Sequence, residues 1–154
     1  ANESTGVVTV QSSGANNVLV MGPQSTATFI CILTSGTTAA SWKVVSLYAN
    51  VPQNSQSAAY TTVLSDSGKH ILHPTADDNP RTFTIDSNAN VPYPIGTAIT
   101  FVNQINTVTI SITSDTLTQA GTALTGNRAL AASSIATALK IASTSWIISG
   151  VGLT

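Results

Sequence analysis

His70 and His73 are the only histidines of the chain. With Asp77 and Asp78 just downstream, they mark the place where metal chemistry would be sought. Their spacing argues against it, because positions i and i+3 of a strand face opposite sides and cannot chelate one ion without a bulge. The two imidazoles are expected at a sheet edge or an interface. Asp77-Asp78-Asn79-Pro80 offers carboxylates to a cation but lacks the spaced oxygens and the Glu of a calcium loop, and it reads as a turn. A Ser-His-Asp triad has many serines to draw on and no Gly-x-Ser-x-Gly elbow to single one out. A glycosidase pair would need two of Glu3 and five Asp; Asp66, Asp77, Asp86 and Asp115 all fall at turn-like positions. There is no glycine-rich phosphate loop. The expectation is a protein that is not an enzyme, with no catalytic residue, no metal and no cofactor.

Cys31, the single cysteine, sits in Phe29-Ile30-Cys31-Ile32-Leu33 and is expected as a buried thiol acting as a small hydrophobe. Phe101 and Trp146 fall in strong strand patterns and are expected in the core. Tyr93, between Pro92 and Pro94, is the best candidate for an exposed aromatic. Tyr93, His70 and His73 are therefore the candidate interface residues.

Charge is scarce. Only 7% of the 154 residues are charged and the formal net charge is −1, so solubility must rest on Ser, Thr and Asn, roughly a third of the chain. Lys43, Lys69, Arg81, Arg128 and Lys140 are scattered, which leaves no footprint for nucleic acid. No apolar stretch reaches the ~18–20 residues of a spanning helix, so no membrane partner is expected. The first residues lack a basic and apolar leader, and a cytoplasmically made product is expected.

The elements that must position these side chains are strands. Period-2 alternation marks residues 7–11, 17–21, 27–34, 42–49, 59–64, 69–73, 81–85, 98–103, 107–113, 135–142 and 145–149. Short links such as Gln104-Ile105-Asn106 and Ser143-Thr144 suit hairpins and antiparallel pairing. Residues 129–134 allow a single helical turn. In 135–142 the large Ile135, Leu139 and Ile141, with Thr137, share one face, leaving Ala136, Ala138, Lys140 and Ala142 on the other. In 107–113 a Thr/Ser face opposes Val108, Ile110 and Ile112, as in sheets that pack around a symmetry axis. The fold class expected is all-β, an antiparallel sandwich or barrel of jelly-roll type, forming a trimer. A soft boundary separates residues 1–64 from residues 65–154.

The second region carries Gly68-Lys69-His70-Ile71-Leu72-His73-Pro74, Arg81-Thr82-Phe83-Thr84-Ile85 and Tyr93-Pro94-Ile95-Gly96-Thr97-Ala98-Ile99-Thr100-Phe101-Val102-Asn103-Gln104. Thr107-Val108-Thr109-Ile110, Leu130-Ala131-Ala132 and Trp146-Ile147-Ile148-Ser149-Gly150 follow. Over a little more than half the chain, this combination resembles a β-rich module of tailed-phage and prophage virion structural proteins. The resemblance implies an outer, usually trimeric knob. With the short length, it leads to the expectation of a capsid decoration (cement) protein on the virion head surface. Its partners would be the major capsid protein and two further copies of itself, with residues 1–64 facing the capsid and 65–154 facing outward. A receptor-binding tail-fibre or tailspike tip is the alternative.

Overall fold

The computed structural model describes residues 7–21, 25–32, 37–48 and 51–154. These fall into two compact units, Ala1–Val51 and Pro52–Thr154. The boundary lies upstream of the expected 64/65 division, because residues 53–61 contribute strands to the second unit. Apart from two single 3-10 turns, the described elements are all strands.

The first unit is built from two hairpins. β1 (Val8–Gln11) pairs antiparallel with β2 (Asn17–Met21), and β3 (Ser25–Cys31) with β4 (Trp42–Tyr48). The β1–β2 turn is tied to residue 37: the Gly14 amide and the Ser12 hydroxyl both donate to the Thr37 carbonyl, at 3.0 and 2.9 Å. A Cβ at position 14 would collide with that oxygen, so glycine is required there. Among the described side chains of this unit only Ser12 and Ser41 are buried, while Val8, Val20, Ile30 and Ile32 are exposed. Cys31 is likewise exposed, not buried as expected. The apolar run around it belongs to a two-stranded ribbon, which buries little by itself.

The second unit winds. β5 (Gln53–Ser55), β7 (His70–His73) and β9 (Ala98–Asn103) form one parallel ladder. β6 (Tyr60–Thr61), β8 (Arg81–Ile85) and β10 (Val108–Ile112) form a second. Each strand thus pairs with the strand two places on, and the chain alternates between the ladders in the manner of a solenoid. The expected antiparallel jelly roll is corrected by these parallel registers. Gln104-Ile105-Asn106 is not a hairpin: it carries the chain from one ladder to the other, with Asn106 at φ 57°.

The coil is closed by β12 (Arg128–Ala142), whose strand begins before the expected 135 and replaces the helical turn considered for 129–134. Its first residues pair antiparallel with β10 (Val108↔Leu130) and its later ones with β9 (Val102↔Ile135 to Ala98↔Leu139). Between these stretches the strand kinks, with Ser133 at φ 55°. β13 (Ser145–Leu153) returns antiparallel along β12 through the Ser143-Thr144 hairpin, and β11 (Thr116–Gln119) runs parallel to β13.

Both ladders face one core. Phe83 of β8 stacks on Phe101 of β9 with centroids 6.4 Å apart. Ile71, Ile85, Ile99, Val108, Ile110, Leu117, Leu130, Trp146 and Ile148 fill the space around them. On β12 the small residues point inward. Ala136 and Ala138 are buried, whereas Ile135, Leu139 and Ile141 are 50%, 39% and 52% exposed. The inward alanines match bulk on the neighbouring strands, since Ala136 pairs with Phe101 and Ala138 with both Ile99 and Ile148. On the other side of Ala136 stands Gly150, where a Cβ would collide with Ala136 and the Ile135 carbonyl.

Trp146, 1% exposed, holds the carboxyl-terminal strand into this core. Trp146→Ala is expected to destabilise the protein by ~3–5 kcal/mol, as buried aromatic truncations do. Ala136→Leu should also destabilise, by ~1–3 kcal/mol through overpacking, while Leu139→Ala should matter far less to the isolated chain. Denaturant unfolding of the three variants checks this; a larger loss for Leu139→Ala than for Ala136→Leu would reverse the assignment of the two faces.

Candidate interaction surface and its polar anchors

The two ladders present outer faces of opposite character. On the β6–β8–β10 side, cross-strand rows run Thr61–Thr84–Ser111 and Thr82–Thr109–Ala129. The Thr84 and Ser111 hydroxyls bond to each other at 2.7 Å. This is the hydroxyl face legible in residues 107–113, and part of its hydrogen-bonding capacity is used within the chain.

The outer face of the other ladder, continued across β12 and β13, is aliphatic. Its registers align Ser55, Leu72, Val102, Ile135 and Val151 in one row, and Ala98, Leu139, Ile147 and Thr118 in another. Between them runs a polar row of Gln53, His70, Thr100, Thr137 and Ser149, with Thr100 and Thr137 hydroxyls 2.9 Å apart. None of these rows contains a charged residue. Val151 is 75% exposed, and with Ile135, Leu139 and Ile141 it leaves roughly a few hundred Å² of apolar surface, the size of the largest patch on an ordinary monomer. A depression of about 390 Å³, lined by Thr75, Val102, Asn103, Gln104, Ser133, Ser134 and Ile135, adjoins the first row.

Of the three expected interface residues, only His70 lies on this outer face. It is half-buried within the polar row, and Gln53 Nε2 donates to its Nε2 at 3.1 Å. His73 points to the opposite face, as its spacing requires, and is fully buried. Tyr93 is buried too, at 3% exposure. Its ring packs edge-on against Trp146 at 5.5 Å, and its hydroxyl donates to the Val63 carbonyl at 2.6 Å. Burial pushes the Tyr93 hydroxyl up to about 12, which keeps it a donor. The flanking prolines shape the turn that delivers this ring inward; they do not expose it.

His73 belongs to a structural network. Its Nδ1 donates to Asn103 Oδ1 at 2.8 Å and its Nε2 lies 3.2 Å from Asp77 Oδ2. Arg81 grips the same carboxylate with Nε at 2.6 Å and Nη2 at 2.8 Å, and Asn79 donates to it at 2.8 Å. Asn103 Nδ2 in turn donates to the carbonyls of Asn106, Leu130 and Ala131, at 2.9–3.0 Å. The Asp77 turn thereby reaches the kink of β12. A second buried carboxylate, Asp66, accepts from Tyr60 Oη, the Val63 amide and Asn54 Nδ2 at 2.7–3.0 Å. Among the described residues no three His, Cys, Asp or Glu gather as a metal site would require, and no helix is long and apolar enough to cross a membrane.

Comparison with family models, curated proteins and solved structures finds no match.

The Arg81 guanidinium, helped by Asn79, holds the Asp77 carboxyl well below the ordinary carboxylate range. Asp77 therefore favours the folded state above its unfolded value of about 4 and loses that contribution as the pH falls below it. Asp77→Asn should be less stable than the parent at pH 7, with the gap closing on acidification. Asp86, lowered by the Ser87 amide and Asn90, leaves the variant some acid sensitivity of its own. Melting temperatures of both proteins across pH 7 to 2 check this; a gap of constant size would show that the Asp77 charge has no part in it.

Proposed function

We propose that this chain is a non-enzymatic virion structural protein, a capsid decoration (cement) protein that binds the major capsid protein and stabilises the shell. The observation that carries the reading is the uncharged aliphatic outer face of the coil unit, left exposed among the described residues. This surface is the face of Ile135, Leu139 and Val151; in the hairpin unit Val8, Val20, Ile30 and Ile32 are exposed individually, with Lys43 opposite Ile30. The likeness of residues 68–150 to a phage virion module supplies the setting.

Two occupants are assigned. The coil face meets further copies of the same chain in a trimer. A face without charges can oppose its own copy with no like-charge cost, and its apolar area approaches half of the roughly 800 Å² a partner gives to a stable interface. The hairpin unit, which buries no large apolar side chain among its described residues, docks on the capsid. A trimer then offers three such units at once, so modest single contacts combine through effective concentration. The alternative reading, a receptor-binding fibre tip, is favoured by the depression where Gln104, Ser133 and Ser134 stand beside Val102 and Ile135, a mixture of hydrogen-bonding and apolar groups suited to a sugar.

Quantifying the chain against the major capsid protein in purified particles separates the two. Copy numbers that scale with the capsid lattice support cementing; a few copies per particle support the fibre tip. For the trimer, Ile135→Asp with Leu139→Asp should convert the species seen in sedimentation from trimer to folded monomer. A parent protein that is monomeric at micromolar concentration, or a variant that stays trimeric, overturns this face as the self-contact.

A further inference from the structure

Lys140 occupies an unusual place for a lysine. It points inward from β12, 1% exposed, beyond Ala136 and Ala138 on the core-facing side. Its Nζ lies 5.6 Å over the ring centroid of Trp146 and donates to Asn88 Oδ1 at 2.6 Å. Among the described residues no carboxylate lies within ion-pair distance of it. A buried ammonium without a counter-ion is costly, and a single neutral hydrogen-bond partner offsets little of that cost.

Asn88 is held in place independently of the lysine. Its backbone amide donates to both oxygens of Asp115, at 3.2 and 3.1 Å. The turn around it is fixed by Asp86, whose carboxylate accepts from the Ser87 amide and from Asn90 Nδ2. An amine nitrogen and a carboxamide are thus kept in contact at a part-buried site, with the lysine itself fully buried. Such fixed proximity replaces a bimolecular encounter and can supply very large effective molarities.

We propose that Lys140 and Asn88 become joined by an intramolecular isopeptide bond. The lysine nitrogen, having given up a proton, attacks Asn88 Cγ. The Cγ–Nδ2 bond breaks, and Nδ2 departs with the protons released from lysine. The balance is one side-chain ammonium plus one carboxamide giving one secondary amide plus one ammonium ion. Nothing is oxidised or reduced and no co-reactant is needed. The reaction exchanges a buried, unpaired charge for a neutral amide and passes the charge to water. The product ties β12 covalently to the turn preceding β9, across 52 positions of sequence. This inference stands apart from the assignment to a virion.

The test is the intact mass of the purified wild-type chain, denatured before measurement. It should fall below the sequence mass by about 17 Da, one ammonia. A tryptic digest should contain residues 82–128 joined to residues 129–154, with no cleavage after Lys140. Lys140→Arg and Asn88→Ser should each restore the mass expected from their own sequence. The full sequence mass in folded wild-type protein after prolonged incubation overturns the proposal. So does a deficit carried by one linear peptide, which would mark a succinimide at an asparagine. Since the wild-type chain alone decides the matter, a variant that fails to fold leaves the conclusion intact.

Discussion

The kink of β12 governs the second unit, because this one strand must satisfy the edges of two parallel ladders at once. Before the kink it bonds to β10, and after it to β9. A strand that changes neighbours strands its own carbonyls at the crossing, and buried carbonyls without donors are expensive. Asn103 answers this by giving its amide hydrogens to the carbonyls of Leu130 and Ala131 as well as to Asn106. Its remaining oxygen accepts from His73, which lies against Asp77, which is clamped by Arg81. The chain of bonds from Arg81 to the kink therefore gives the buried histidine and aspartate a structural role. Gly150 serves the same crossing from the other side by letting β13 press against Ala136.

From that closure follows the asymmetry of the outer surfaces. β12 turns its small residues inward because Phe101, Ile99 and Ile148 on neighbouring strands already supply the bulk. Its large residues are then left pointing out. On an ordinary monomer such a stripe would be a liability, a sheet face inviting non-specific contact. Here the opposite ladder is covered in threonine and serine hydroxyls, so one side of the unit is suited to water and the other to a protein surface. The division of labour is the physical basis for reading the chain as a part of an assembly.

Much of this was legible from alternation alone. The limits of β2, β8 and β9 match the expected strands, and Phe101 and Trp146 lie in the core as their patterns required. What alternation cannot carry is pairing direction, since parallel and antiparallel strands share the same period. Alternation therefore fits a jelly roll as well as a winding coil, and Gln104-Ile105-Asn106 fits a hairpin as well as the crossing it makes. Gln53–Ser55 and Thr116–Gln119 escaped notice because three or four mostly polar residues give no periodic signal. Spacing showed that His70 and His73 face opposite ways but not which one faces the core. For Tyr93 and Cys31 the flanking residues point to the opposite of the exposure found. Exposure is decided by tertiary partners: Val63 and Trp146 for the tyrosine, and the lack of a buried apolar layer among the described residues of the first unit for the cysteine. The outward stripe on β12 was visible as a face of large residues, yet nothing local revealed that the core had chosen the small ones.

The placement of the few cations carries the argument one step further. Arg128 is 9% exposed and donates to the Thr125 carbonyl at 2.6 Å, Arg81 is spent on Asp77, and Lys140 lies under Trp146. Only Lys43 and Lys69 remain toward the surface, and Lys69 sits 3.9 Å from Asp66. A chain that starts with little charge thus turns most of its positive charge to internal structure. Partner choice can then owe little to long-range steering, which needs a field at the surface. It must rest on shape, apolar area and hydroxyl hydrogen bonds, interactions that salt screens weakly. Such a surface is poor at finding a partner quickly and good at holding one already concentrated beside it.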